Sequence, residues 1–132
     1  MKRYVFDSCS LISYLDGEPN AEKVADYLEQ INEKSLDAFL CVINLGEIYY
    51  HFLRTGGEST GKTVLEAIRT LPLKIVEANI ELTLSAGRIK AYNKMSYADC
   101  YAAALTANKK GVLVTSDNEF RQVEKNIKIE FL

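Results

Sequence analysis

Six consecutive apolar residues, Ala38-Phe39-Leu40-Cys41-Val42-Ile43, constrain the fold of this chain more than any other feature. An apolar run of strand length without alternation fits a strand buried on both faces, and such strands belong to parallel sheets covered by helices. The sequence on either side supplies those helices. Tyr4-Val5-Phe6 reads as a first strand, and Ser8 or Ser10 is placed to cap a helix with Leu11, Ile12, Tyr14 and Leu15 on its apolar surface. Asp16-Gly17 stops it. Pro19 suits the first turn of a second helix, in which Ala21, Val24, Ala25, Leu28 and Ile31 recur at helical spacing.

After the long apolar run, Asn44 can cap a third helix with the stripe Leu45, Ile48, Tyr49, Phe52 and Leu53. Gly56-Gly57 breaks it. A fourth helix carries Val64, Leu65, Ile68 and Leu71 and ends at Pro72. Residues 73–76 read as a strand and 80–93 as a helix. Another helix, capped by Ser96, runs to about Lys109 with Gly111 as its stop. A strand over 112–115, a short helix over 119–123 and a strand over 127–131 complete the chain. Strands alternating with helices predict one α/β domain over residues 1–132, with a central parallel sheet of about five strands and helices on both faces. At 48% hydrophobic and 26% charged, the composition can fill such a core and solvate its surface.

In open α/β sheets the working site lies beyond the carboxyl ends of the strands. Four acids fall there. Asp7 closes the first strand, and Asp117 follows the fourth after Thr115-Ser116. Glu47 and Asp99 lie in the first turns of the helices opened by Asn44 and Ser96. Crowded carboxylates repel one another and hold protons tightly, and a hard divalent cation relieves this. In two-metal sites the ions sit about 3.5–4 Å apart, which demands several shared acids. Each acid alone also has a structural reading. Asn44-x-x-Glu47 and Ser96-x-x-Asp99 resemble capping boxes, and Asp117-Asn118 suits a turn. Asp7 is harder to explain that way, because Ser8 and Ser10 are free to cap instead.

The pattern resembles the PIN domain, and within it the VapC-like toxins. The resemblance rests on Val5-Phe6-Asp7-Ser8-Cys9-Ser10-Leu11-Ile12, Asn44-Leu45-Gly46-Glu47-Ile48, Tyr97-Ala98-Asp99-Cys100-Tyr101-Ala102-Ala103-Ala104 and Val112-Leu113-Val114-Thr115-Ser116-Asp117-Asn118-Glu119-Phe120. No single stretch is specific, but four in order are. The resemblance implies a PIN-like three-layer fold and Mg²⁺- or Mn²⁺-dependent ribonuclease activity. It also implies a homodimer and a cognate antitoxin. Asp7, Glu47, Asp99 and Asp117 would then be metal ligands and catalytic residues. Thr115 would be a polar helper, with Ser8 and Ser116 as further candidates. Many relatives carry another acid two residues after the last Asp; Glu119 occupies that place, as a second-tier candidate. A PIN-like module that binds without cutting is the alternative.

Other features point elsewhere or nowhere. Gly56-Gly57-Glu58-Ser59-Thr60-Gly61-Lys62-Thr63 matches the P-loop pattern letter for letter, but a working P-loop follows a strand. Here the preceding residues have helical periodicity, so the stretch reads as a helix–helix turn. A receiver-like signalling domain would need paired acids near the first strand's end, and this chain has Asp7-Ser8. His51 is the only histidine and reads as a partly exposed helical residue. Cys9, Cys41 and Cys100 are odd in number and lack a C-x-x-C pair, which argues against zinc and disulfides. A net charge of −2 argues against broad electrostatic affinity for nucleic acid, leaving local patches or bound metal. Neither a signal peptide nor the roughly 20 apolar residues of a membrane span is visible, so a cytoplasmic protein is expected.

Overall fold

The structure is a computed structural model and describes residues 2–132. Five strands form one all-parallel sheet: β1 (Arg3–Phe6), β2 (Asp37–Cys41), β3 (Lys74–Val76), β4 (Val112–Thr115) and β5 (Lys128–Phe131). Their order is β3-β2-β1-β4-β5, so β1 lies at the centre between β2 and β4. Register pairs Phe6 with Leu40 on one side and with Val114 on the other.

Alternation along the strands sends side chains to two separate cores. Tyr4, Phe6, Ala38, Leu40, Val112 and Val114 face one side. There they meet α1 (Ser8–Leu15), α2 (Ala21–Lys34) and α3 (Val42–Arg69) through Leu11, Leu28, Ile48 and Phe52. Val5, Phe39, Cys41 and Leu113 face the other side. They are covered by α4 (Ile80–Tyr92), α5 (Tyr97–Lys109) and a 3₁₀ turn (Asn118–Val123), through Leu82, Cys100, Leu105 and Phe120. This is the three-layer PIN-like arrangement expected from the sequence. Among the described residues no helix is long and apolar enough to cross a membrane.

Several local expectations are corrected. The apolar run does not stay in the sheet. β2 ends at Cys41, and Val42 and Ile43 already belong to α3. Cys41 is therefore the N-cap, and Asn44 lies inside the first turn, fully buried. Glu47 falls in the second turn rather than the first. Asp7, not Ser8 or Ser10, caps α1, accepting from the Ser10 amide at 2.9 Å. Pro19 precedes the N-cap Asn20 of α2 instead of entering its first turn.

The Gly56-Gly57 break is real but local. Helical structure resumes at once, and α3 is interrupted only at Gly57, with φ 81° and ψ −174°. This region is essentially glycine-only. Gly57→Ala is expected to cost about 1–3 kcal/mol by that strain, measured by chemical denaturation. Within the P-loop-like stretch, Thr63 Oγ1 donates to the Ser59 carbonyl 3.0 Å away, as in an ordinary helix, and no strand precedes it.

Candidate active site

β1 and β4 are neighbours, so their parallel pairing brings their carboxyl ends together. Asp7 leaves the end of β1 and is fully buried. Its Oδ1 accepts from the Ser10 amide, and its Oδ2 accepts a short 2.5 Å bond from the hydroxyl of Thr115, the last residue of β4. That hydroxyl accepts in turn from the Asp117 amide at 3.0 Å. Thr115 thus ties the two strand ends together. Asp117 caps the 3₁₀ turn, accepting from the Glu119 amide at 2.9 Å.

Asp99 arrives from the other layer. α5 ends at Lys109, next to the start of β4, and Gly111 packs there so tightly that a Cβ would lie 2.8 Å from the Arg3 carbonyl. The beginning of α5 therefore lies at the carboxyl edge. Ser96 caps it, accepting from the Asp99 amide at 3.2 Å, and Asp99 is buried. Single carboxylate oxygens of Asp99, Asp117 and Glu119 lie within 4.8 Å of one another.

Glu47 comes from α3, across the sheet. Glu47 lies off the apolar stripe of its helix, as a solvated residue would, but the structure turns it inward. Its Oε1 accepts from Ser8 Oγ at 2.7 Å and from Asn44 Nδ2 at 3.3 Å. Asn44 also donates to the Ala98 carbonyl at the start of α5, at 3.2 Å. One buried amide therefore joins α3 to the helix that carries Asp99. In the sequence Asn44 reads only as a cap. The signal for its larger role lies in its position directly after a doubly buried run, where a surface cap is out of place. Its Oδ1 is buried without a hydrogen-bond partner.

Electrostatics couple the acids. Burial pushes the Asp7 carboxyl up to about 6, against the hydrogen bonds it accepts, and Asp117 adds to the rise. Asp99 is pushed up to about 7, first by burial and then by the charges of Asp117, Asp7 and Glu47. Capping does not require this cost. Asn or Ser would cap as well without burying a charge. The donor set is all oxygen, which suits Mg²⁺ or Mn²⁺ and not a thiolate-loving metal. A cation would relieve the repulsion that raises both carboxyls.

The remaining residues fall at different distances from this chemistry. Ser116 Oγ lies 3.1 Å from Cys9 Sγ, in a half-buried contact beside the acids. Burial first, then Asp7, Asp117 and Asp99, raise the Cys9 thiol, so it stays protonated. Cys41 and Cys100 are buried, and all three cysteines are free. His51 packs edge-on against Phe52, ring centroids 5.0 Å apart.

The PIN domain model matches residues 4–126. The chain belongs to the PIN domain family. No curated protein sequence matches it significantly. Among solved structures it resembles VapBC2 from Rickettsia felis, bound to a fragment of its promoter DNA, with a TM-score of 0.81 at 16% identity over 98% of both chains. DNA-bound VapBC from Salmonella typhimurium gives a TM-score of 0.76 at 19% identity, covering 99% of this chain and 98% of that one. VapC20 from Mycobacterium tuberculosis, a toxin that cleaves the sarcin-ricin loop, gives 0.72 at 12% identity, covering 91% and 94%.

Proposed function

We propose that this chain is a divalent-metal-dependent endoribonuclease and the toxin of a type II toxin–antitoxin pair, acting in the cytoplasm. The observation that supports it best is the burial of Asp7 and Asp99 beside further acids, which raises both carboxyls and which a bound cation would relieve. Asp7, Glu47, Asp99 and Asp117 are the ligands in this reading, with Glu119 at the open side of the cluster. Bound there, Mg²⁺ or Mn²⁺ would supply an activated water and charge neutralisation for phosphodiester hydrolysis.

The chain's own part is positioning. Thr115 holds the Asp7 carboxylate by one oxygen, and the Ser10 amide holds the other. Ser8 and Asn44 fix Glu47 from one side and leave its second oxygen free of them. With no histidine in the cluster, proton transfer falls to water and to the acids themselves. The similarity to VapBC proteins supports an antitoxin partner; its covering this edge, and a homodimer, belong to the same proposal.

The test is cleavage of a panel of structured and single-stranded RNAs, with matched DNAs, in Mg²⁺, in Mn²⁺ and in EDTA. Endonucleolytic cutting of RNA that needs a divalent ion and stops in EDTA is expected. Metal binding by the folded protein without any cutting would favour the non-catalytic module instead.

A further inference from the structure

The carboxylates occupy one pole of the sheet. The opposite pole, at the amino ends of β1, β4 and β5, is basic. Lys2, Arg3, Lys110 and Lys128 line a cavity of about 500 Å³ there, with Glu130 as its one acid. A second cavity of about 290 Å³ shares Lys110 and Lys128. Glu130 is already engaged by Lys2 at 3.4 Å and by the Tyr27 hydroxyl. Arg3 leans on the Lys109 carbonyl and on Asp37. Lys110 and Lys128 take part in no ion pair among the described residues. Lys110 is also held in the left-handed region, at φ 51°, which fixes where its side chain leaves the backbone. Two unneutralised cations facing two adjoining cavities, in a chain of net charge −2, form a local anion site that the overall charge conceals.

The topology links this pole to the acids. The crossover from Asp117 to β5 starts at the carboxyl edge and must return to the amino edge, because β4 and β5 are parallel. Between Phe120 and Lys128 it carries Arg121, Lys125 and Lys128 against the single acid Glu124. A strand of this length rises only about 13 Å, and a nucleic-acid duplex presents a charge about every 1.7 Å of its axis. A helical stem of more than that length is therefore long enough to span from the acid edge to the edge that carries Lys110 and Lys128.

Building on the ribonuclease reading, we propose that Lys110, Lys128 and the crossover cations hold the phosphate backbone of the RNA substrate well away from the cut. The site selects length and helical stem, not sequence, since backbone contacts carry no base information. Substrates too short to span both poles forgo it.

The test is salt-dependent binding of an RNA hairpin of about 20 nucleotides, in EDTA so that nothing is cut. The wild type is compared with Lys110→Asn/Lys128→Gln and with a Lys34→Gln/Lys62→Gln control. All four lysines are exposed, and asparagine tolerates the left-handed backbone at position 110. The Lys110/Lys128 pair is expected to lower the slope of log K against log salt by about 1.8, at about 0.9 per released duplex phosphate contact. The control pair leaves it unchanged. In Mg²⁺ the same variant raises KM for the hairpin and leaves kcat and the cleavage of a tetranucleotide as they were. An unchanged slope overturns the proposal. So does displacement of the RNA by micromolar inorganic pyrophosphate, which would mark a small-anion pocket. RNA bound with the expected slope loss but never cut would sink the nuclease reading and leave this site standing; RNA cut with unchanged slope and KM would do the reverse.

Discussion

Asp99→Asn is expected to abolish the proposed RNA cleavage and at the same time to make the metal-free protein more stable. The two effects have one cause. Asp99 is buried against Asp117, Asp7 and Glu47, and its carboxyl is pushed up to about 7. At pH 8 it is ionised and repelled. Asparagine keeps the shape and removes the charge, which is expected to gain about 1–3 kcal/mol at that pH. Activity is expected to fall by more than the roughly 100-fold that losing a metal's outer-shell partner can cost, because on the proposed reading a ligand itself would be gone. The sign of the stability change separates the two readings of this residue. An acid that merely complements the helix dipole near the start of α5 would lose about 0.3–1 kcal/mol on neutralisation. Thermal unfolding in EDTA, beside an activity assay in Mg²⁺, reads both.

The second large effect is a stability that declines as pH rises. Asp7 and Asp99 ionise near 3.8 when unfolded but near 6 and 7 when folded. Between those values the native state holds more protons than the unfolded one, so raising the pH favours unfolding. The stabilisation is fully present below about pH 4 and is lost through pH 6–7, an expected drop on the order of a few kcal/mol. Most proteins whose carboxylates are paired behave oppositely in this range. Divalent cation restores the loss at pH 8, by about 2.7 kcal/mol at a hundredfold excess over its Kd. Urea denaturation at pH 5 and pH 8, with EDTA and with Mn²⁺, measures the effect; equal stability in all four conditions would contradict it.

The sheet was legible because its central strands are short apolar runs that nothing else explains. Their side-chain alternation then assigns both cores. Asp7 and Asp117 were legible for the same reason, since acids at strand ends stand out against apolar runs. What the sequence hides depends on contacts between distant residues. Val42 and Ile43 are as apolar as the strand they follow, and only packing decides that they begin α3. The inward turn of Glu47 needs Ser8, 39 residues earlier in the chain, and the Asn44 amide that also holds the Ala98 carbonyl. Glu119 looks like a surface residue of a short turn. Its nearness to Asp99 comes from α5 and the 3₁₀ turn packing side by side on one face of the sheet, at its carboxyl edge. The P-loop match shows the converse: eight letters fit, and the backbone they need is absent.

On the proposed reading, acids from four separate elements form one cation site. Calorimetric titration of Mn²⁺ into the wild type, Asp7→Asn, Asp99→Asn and Asp117→Asn at pH 8 tests it most directly. Saturable binding is expected in the wild type, with its loss or severe weakening in each variant, although the three residues lie at the end of β1, in α5 and in the turn after β4. Binding that survives unchanged in all three, or no binding by the folded wild type, would contradict it and leave these acids as helix caps.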